Sequence, residues 1–142
     1  MSKKLISVII PAYNEEECVD ELARRLQKVC ELESTYDFQI IIVENGSIDS
    51  TWIKLKDIAD NDARFIIIQL SRNFRMDGGL TAGLEIVSGD ACVLMTADLQ
   101  DPPEMIHQFL RLWEDGWENV YGVLTKREGT GPLGCFDIAM SY

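Results

Sequence analysis

Residues 5–10, 38–43, 65–70 and 91–95 form four short runs rich in Ile, Val and Leu, and amphipathic stretches separate them. Runs of this make-up read as strands buried on both faces, and helices between them imply a parallel sheet. Parallel strands share one direction, so their carboxyl ends open onto a single crevice. Every run here ends in a polar cluster: Tyr13-Asn14-Glu15-Glu16, Glu44-Asn45-Gly46-Ser47, Ser71-Arg72-Asn73 and Asp98-Leu99-Gln100-Asp101. Clusters distant along the chain are therefore expected to meet in space, able to hold a nucleotide, a phosphate or a metal.

At 142 residues the chain suits one domain, residues 1–142, with a single core. Thirteen basic residues face 24 acidic ones, a formal charge of −11. So acidic a surface repels a phosphate backbone, which argues against nucleic acid as a partner. A phosphorylated ligand would need a metal ion or local donors to offset the same repulsion. Cys18, Cys30, Cys92 and Cys135 lack metal-ligand spacing and read as buried, reduced thiols of a cytoplasmic protein. No stretch reaches the roughly 18 apolar residues of a membrane span.

Between the first two runs, Val19, Leu22, Ala23, Leu26, Val29 and Cys30 recur at helical spacing. A second helix is expected over about 50–60, burying Ile53, Leu55 and Ile58, and a third over about 77–87 despite Gly78, Gly79 and Gly83. The fourth has the clearest start signal, with Asp101 as N-cap, Pro102 as first helical residue and Glu104 completing a capping box. Met105, Ile106, Phe109, Leu110 and Trp113 supply its apolar stripe. Residues 119–123 read as a fifth strand and 126–142 as irregular. The order βαβαβαβαβ predicts a Rossmann-like three-layer α/β/α sandwich.

Each cluster admits particular chemistry. Asp98 leaves a buried strand towards the crevice, and with Gln100 it offers the oxygen ligands that Mg²⁺ or Mn²⁺ takes. Glu44 can accept from a nucleobase N–H or from ribose hydroxyls. Pro11 and Ala12 lead into Tyr13, whose ring can stack on a base. Ser71-Arg72-Asn73-Phe74-Arg75 brings positive charge to the end of the third run, where an arginine can pair with a diphosphate, and Lys126-Arg127 forms another basic pair near the same edge. His107, the single histidine, reads as a surface residue, and Trp52, Trp113 and Trp117 as packing residues. No G-x-G-x-x-G follows the first run and no Walker A lysine occurs, which excludes dinucleotide and P-loop readings. A receiver-like signalling module would need an acid pair where Pro11-Ala12 stands. A sugar-nucleotide pyrophosphorylase would need a glycine-rich basic loop where Tyr13-Asn14-Glu15-Glu16 stands.

With these residues assembled, the chain resembles the family 2 glycosyltransferases, the inverting GT-A group, and within it the dolichyl- or undecaprenyl-phosphate sugar synthases. The matching segments are Ser7-Val8-Ile9-Ile10-Pro11-Ala12-Tyr13-Asn14-Glu15-Glu16, Val43-Glu44-Asn45-Gly46-Ser47-Ile48-Asp49-Ser50-Thr51, Leu70-Ser71-Arg72-Asn73-Phe74, Leu80-Thr81-Ala82-Gly83-Leu84 and Ala97-Asp98-Leu99-Gln100-Asp101-Pro102-Pro103-Glu104. The resemblance implies a GT-A nucleotide-sugar-binding fold. Pro11, Ala12, Tyr13, Glu15, Glu44, Arg72, Ala97 and Asp98 would hold a UDP- or GDP-sugar. Asp98 and Gln100 would hold Mg²⁺ or Mn²⁺, Asp98 being the catalytic acid of the set, and Arg127 would meet a polyprenyl-phosphate acceptor. Thr96 stands where many members carry the first aspartate of Asp-x-Asp, and Asn45 where a second acid is common. The acceptor-binding segment, and any membrane helices, are expected in a longer parent protein at the cytoplasmic face of a membrane. The alternative is a nucleotide-binding remnant without transferase activity.

Overall fold

In the computed structural model, which describes residues 2–124 and 136–141, ten elements follow in order. They are β1 (Lys4–Ala12), α1 (Val19–Leu32), β2 (Tyr36–Glu44), α2 (Thr51–Asn61), β3 (Phe65–Gln69), α3 (Arg75–Leu84), β4 (Ala91–Leu94), α4 (Met105–Glu114), β5 (Asn119–Leu124) and β6 (Phe136–Ser141). The first four strands form one parallel sheet in the order β3-β2-β1-β4. The chain moves outward from β1 to β3, then returns to the far side of β1, so the topological switch point lies between β1 and β4. Open α/β sheets bind ligands at the carboxyl side of such a point.

The order explains which apolar runs are buried. Central β1 and β2 are buried almost throughout, whereas edge strands β3 and β4 are partly buried or exposed apart from Phe65. Side chains of a strand point to opposite faces in turn. Ile6, Val8, Ile10, Ile40 and Ile42 therefore meet α1, α2 and α4 in the main core, while Ile9, Ile41 and Val43 meet α3. Ser7 is the polar residue of the first run; its hydroxyl donates to Gln39 Oε1 at 2.6 Å and accepts the Gly89 N–H at 3.0 Å.

Several sequence expectations change. Ile53 is 70% exposed, because α2 lies at the sheet margin and buries Thr51 and Leu55 instead. Helix α3 begins two residues early, at Arg75, and beyond Leu84 continues only as tight turns. Asp101 does not cap α4, which starts at Met105. Pro103 disfavours the helical region for Pro102, so a turn through 103–104 precedes the helix and Glu104 pairs with Arg25 instead. Residues 119–123 do not extend the parallel sheet: β5 pairs antiparallel with β6, inside the stretch expected to be irregular. Cys92 is exposed because β4 is an edge strand, whereas burial pushes the Cys30 thiol up to about 11.

His107 is not a plain surface residue. Its Nδ1 lies 2.7 Å from Glu33 Oε1, and Arg111 Nη2 donates to Glu33 Oε2 at 2.8 Å, which accounts for a nearly buried carboxylate. Trp113 packs on the main core beside Tyr36, with the Lys4 ammonium 4.6 Å from its ring. Among the described residues no helix is long and apolar enough to cross a membrane.

Candidate functional site

At the carboxyl end of the sheet the loops are fastened to one another by side chains. The Asn14 N–H donates to Ser47 Oγ, and the Ile48 N–H returns a bond to Asn14 Oδ1. The Glu15 N–H donates to Thr51 Oγ1, the Glu16 N–H to Asp49, and the Ser50 N–H to Glu16. Burial tends to raise the Asp49 carboxyl, but the donations from Thr51 and Glu16 outweigh it and hold it below the usual range. Short polar side chains thus bond backbone groups that no ladder satisfies.

Asn45, 3% exposed, binds the next loop with both ends of its carboxamide. Oδ1 accepts the Phe74 N–H at 2.8 Å, and Nδ2 donates to the Arg75 carbonyl at 2.7 Å. An aspartate could make only the first bond, which gives a structural reason for Asn at a position where the family often has an acid.

These fastenings leave a crevice of about 310 Å³ lined by Pro11, Ala12, Tyr13, Glu15, Asn45, Asn73, Arg75, Met76, Thr96, Ala97 and Asp98. It sits at the switch point. Among the described residues three non-glycine residues carry positive φ, namely Asn14 (51°), Arg75 (64°) and Leu99 (64°). Each lines the crevice or adjoins a residue that does. Such backbone costs on the order of 1–3 kcal/mol per residue and collects at functional sites. A larger cavity of about 440 Å³ lies between β4, α4 and β5, but its lining is mostly apolar and lacks a converging polar set.

Asp98 is held in the crevice by two hydrogen bonds. Its Oδ1 accepts the Gln100 N–H at 3.1 Å and lies 2.8 Å from the Thr96 hydroxyl, while Oδ2 makes no hydrogen bond among the described residues. Thr96 Oγ1 also lies 3.0 Å from Asp101 Oδ2, and the Thr96 N–H donates to the same oxygen. Thr96 thereby spaces two carboxylates where a third acid would add repulsion. Glu15 is pushed above its ordinary value by burial and then by repulsion from the Asp98 charge, which places the acids of the first and fourth loops within electrostatic reach of each other. Cys18, its thiol raised by burial and by Glu15, belongs to the same neighbourhood and was not marked by any sequence signal.

No group of three or more His, Cys, Asp or Glu forms a metal cage among the described residues. A hard divalent ion bound to a diphosphate needs few protein ligands. The free Asp98 Oδ2 and the exposed Gln100 amide, re-aimed by the positive φ of Leu99, fit that small share.

The expected site residues divide. Pro11, Ala12, Tyr13, Glu15, Ala97 and Asp98 meet at the crevice. Glu44 is fully buried and is not part of the lining: its Oε1 accepts the Ser47 N–H at 2.5 Å, and its Oε2 is buried with no partner among the described residues. Arg72 lies outside the lining as well, its guanidinium 4.4 Å over the Phe74 ring. Gln100 adjoins the crevice, and Arg127 lies outside the described residues. Asn73 and Arg75, members of the strand-end cluster at 71–75, line the crevice, and Met76, which carried no sequence signal, joins them because α3 starts early.

The profile of the family described as "Glycosyl transferase family 2" matches residues 7–134. An uncharacterized glycosyltransferase of Synechocystis sp. is 38% identical over 138 residues, covering 96% of this chain and 43% of that protein. An undecaprenyl-phosphate 4-deoxy-4-formamido-L-arabinose transferase of Pseudomonas syringae is 36% identical over 126 residues, covering 88% of this chain and 37% of that protein. Among solved structures, a mannosyltransferase of Pyrobaculum calidifontis in complex with GDP-Man and Mn²⁺ superposes with a TM-score of 0.67 at 17% identity, over 84% of this chain and 35% of that one. The chain thus spans about two fifths of the length of the curated relatives it matches.

Proposed function

Since the chain belongs to glycosyl transferase family 2, we propose that it forms the donor-binding part of an enzyme moving a sugar from a UDP- or GDP-sugar, with inversion. The observation that carries this reading is the meeting of Tyr13, Glu15, Asn45, Arg75 and Asp98 in one crevice at the topological switch point. The complex of the related fold with GDP-Man and Mn²⁺ supports it.

On this reading Pro11, Ala12 and Ala97 shape the crevice floor. Tyr13, 41% exposed, offers its ring to the base. Glu44 accepts a donor from the base or ribose through its unpartnered oxygen, once the turn at Ser47 yields. Arg72 lies beside the crevice, over Phe74, as a source of positive potential. Asp98 Oδ2 and the Gln100 amide would hold Mg²⁺ or Mn²⁺, which supplies positive charge to the departing diphosphate when bound. Thr96 keeps the Asp98 carboxylate in place without adding charge. The relation to undecaprenyl-phosphate transferases favours a polyprenyl-phosphate acceptor. Such a nucleophile is already anionic and asks little of a protein base, and Arg127 is proposed as its phosphate contact. Catalysis at the cytoplasmic face of a membrane is the matching location.

A thermal-shift titration tests the donor assignment, because a ligand that binds only the native state raises the midpoint. UDP, GDP and sugar nucleotides are added with and without Mn²⁺. The expected result is a rise with one nucleoside diphosphate, larger with Mn²⁺, and loss of the metal-dependent part in Asp98→Asn. No rise with any nucleoside diphosphate ends this reading.

A further inference from the structure

We propose that Arg75 is a phosphate-binding residue of the crevice, gripping a diphosphate oxygen of the nucleotide donor. The inference rests on the donor reading above and singles out, from the two arginines of the cluster at 71–75, the one that lines the crevice.

Charge gives the first argument. In a chain of formal charge −11, the crevice already holds the carboxylates of Glu15 and Asp98. Arg75 is the single cationic residue among those that line it. An anionic ligand entering there meets repulsion that this guanidinium is placed to offset.

Pairing gives the second. Arg24 is bonded to Glu21, Arg25 to Glu104, Arg64 to Asp62 and Arg111 to Glu33 and Glu114, while Arg72 lies over Phe74. Among the described arginines Arg75 alone has neither a carboxylate nor a ring as partner. A free guanidinium presents a planar fork of donors matched to two phosphate oxygens.

The backbone gives the third. Arg75 has φ +64°, a conformation that glycine adopts without strain and a long side chain does not. Two bonds hold it there: its N–H donates to Asn73 Oδ1 at 2.7 Å, and its carbonyl accepts from the buried Asn45 at 2.7 Å. A strained residue fixed from both sides, exposed at the crevice with an unpaired charge, is accounted for by a ligand.

The test measures UDP and GDP binding by calorimetry, with uridine and guanosine as uncharged probes, each with and without Mn²⁺. Arg75→Gly keeps the positive φ and removes only the side chain, so it should fold at least as well as the parent. The expected outcome is that Arg75→Gly weakens nucleoside diphosphate binding roughly tenfold or more, the range of charged hydrogen bonds. Nucleoside binding should be unchanged, and Arg75→Lys should recover part of the loss. Arg24→Ala, which removes a distant charge, should bind as the parent does. Equal diphosphate affinity in Arg75→Gly and parent overturns the inference while leaving the donor reading intact. So does an equal loss for nucleosides and diphosphates, which would mark a loop-shaping role. If the parent binds no nucleoside diphosphate, the donor reading fails first and this contact fails with it. A loss seen with inorganic phosphate or a short polyprenyl phosphate, but not with UDP or GDP, would assign the guanidinium to the acceptor and overturn the donor contact.

Discussion

The two faces of the parallel sheet are built on different principles. One is covered by α1, α2 and α4 and holds most of the buried side chains, among them Leu22, Leu26, Leu55, Ile106 and Leu110. Among the described residues the other is covered by α3, over Ile9, Ile41 and Val43. Helix α3 approaches the strands through backbone more than side chain. A Cβ on Gly83 would stand 2.4 Å from Ile9 Cγ2, and one on Gly79 would stand 2.9 Å from Pro11 Cβ. The thick face carries stability, and the thin face brings a helix start to the ligand rim. Stability and function are thus segregated by sheet side, a division that substitutions can test.

The largest effect is expected on the thick face. Leu22→Ala should cost about 3 kcal/mol in urea unfolding, within the usual range for a buried leucine, whereas Leu80→Ala on the thin face should cost about half as much. Equal losses would break the comparison. Gly83→Ala should come next, because crowding against Ile9 outweighs the gain in helix propensity, leaving a net loss of about 1–2 kcal/mol. Since α3 must then lift from β1, UDP or GDP affinity should fall too, and Leu22→Ala should leave it unchanged in the folded protein.

A pH experiment sharpens the thick side. Asp62, beside α2 and bonded to Arg64 and Gln27, is held down to about 2 from 3.8, first by the Arg64 guanidinium and against the opposing effect of burial. Its folded pKa lies below its unfolded one, so its contribution is complete above pH 4 or so and disappears as the pH falls towards 2. Allowing for partial exposure, that contribution is about 1–2 kcal/mol. Asp62→Asn should therefore flatten the acid limb of stability in that window, and an unchanged limb would remove the assignment. The smallest effect belongs to Ile53→Gln, which should change stability by less than about 0.5 kcal/mol because the side chain is solvent-facing.

The strands, the helices and the convergence of four loops were legible because periodicity and strand-end clusters are local signals. Burial at Leu55 and exposure at Ile53 were not separable, since which helix sits at a sheet margin depends on strand order. The Asp101 cap failed for a local reason, the second proline at position 103, and for a tertiary one, the claim of Thr96 on the same carboxylate. Asp98 was readable from its place after a strand. Arg75 was legible only as one cation of the cluster at 71–75: its place in the crevice lining depends on a positive φ held by Asn45, 30 residues earlier. Conversely, Arg72 sits where an anion-binding cation was expected, and an aromatic neighbour two residues on holds its guanidinium.

The Asn45 clamp also bears on chemical ageing. Asparagine followed by glycine is the dipeptide most open to deamidation, in which the Gly46 nitrogen attacks the side-chain carbon and ammonia departs. A carboxamide tied at both ends is held away from that attack while the fold lasts. Once converted to aspartate, position 45 would set an anionic oxygen against the Arg75 carbonyl and release the strained turn. Heat-stressed samples should accordingly gain the mass increment of deamidation at this peptide faster than native ones, with ligand-induced protection declining in step.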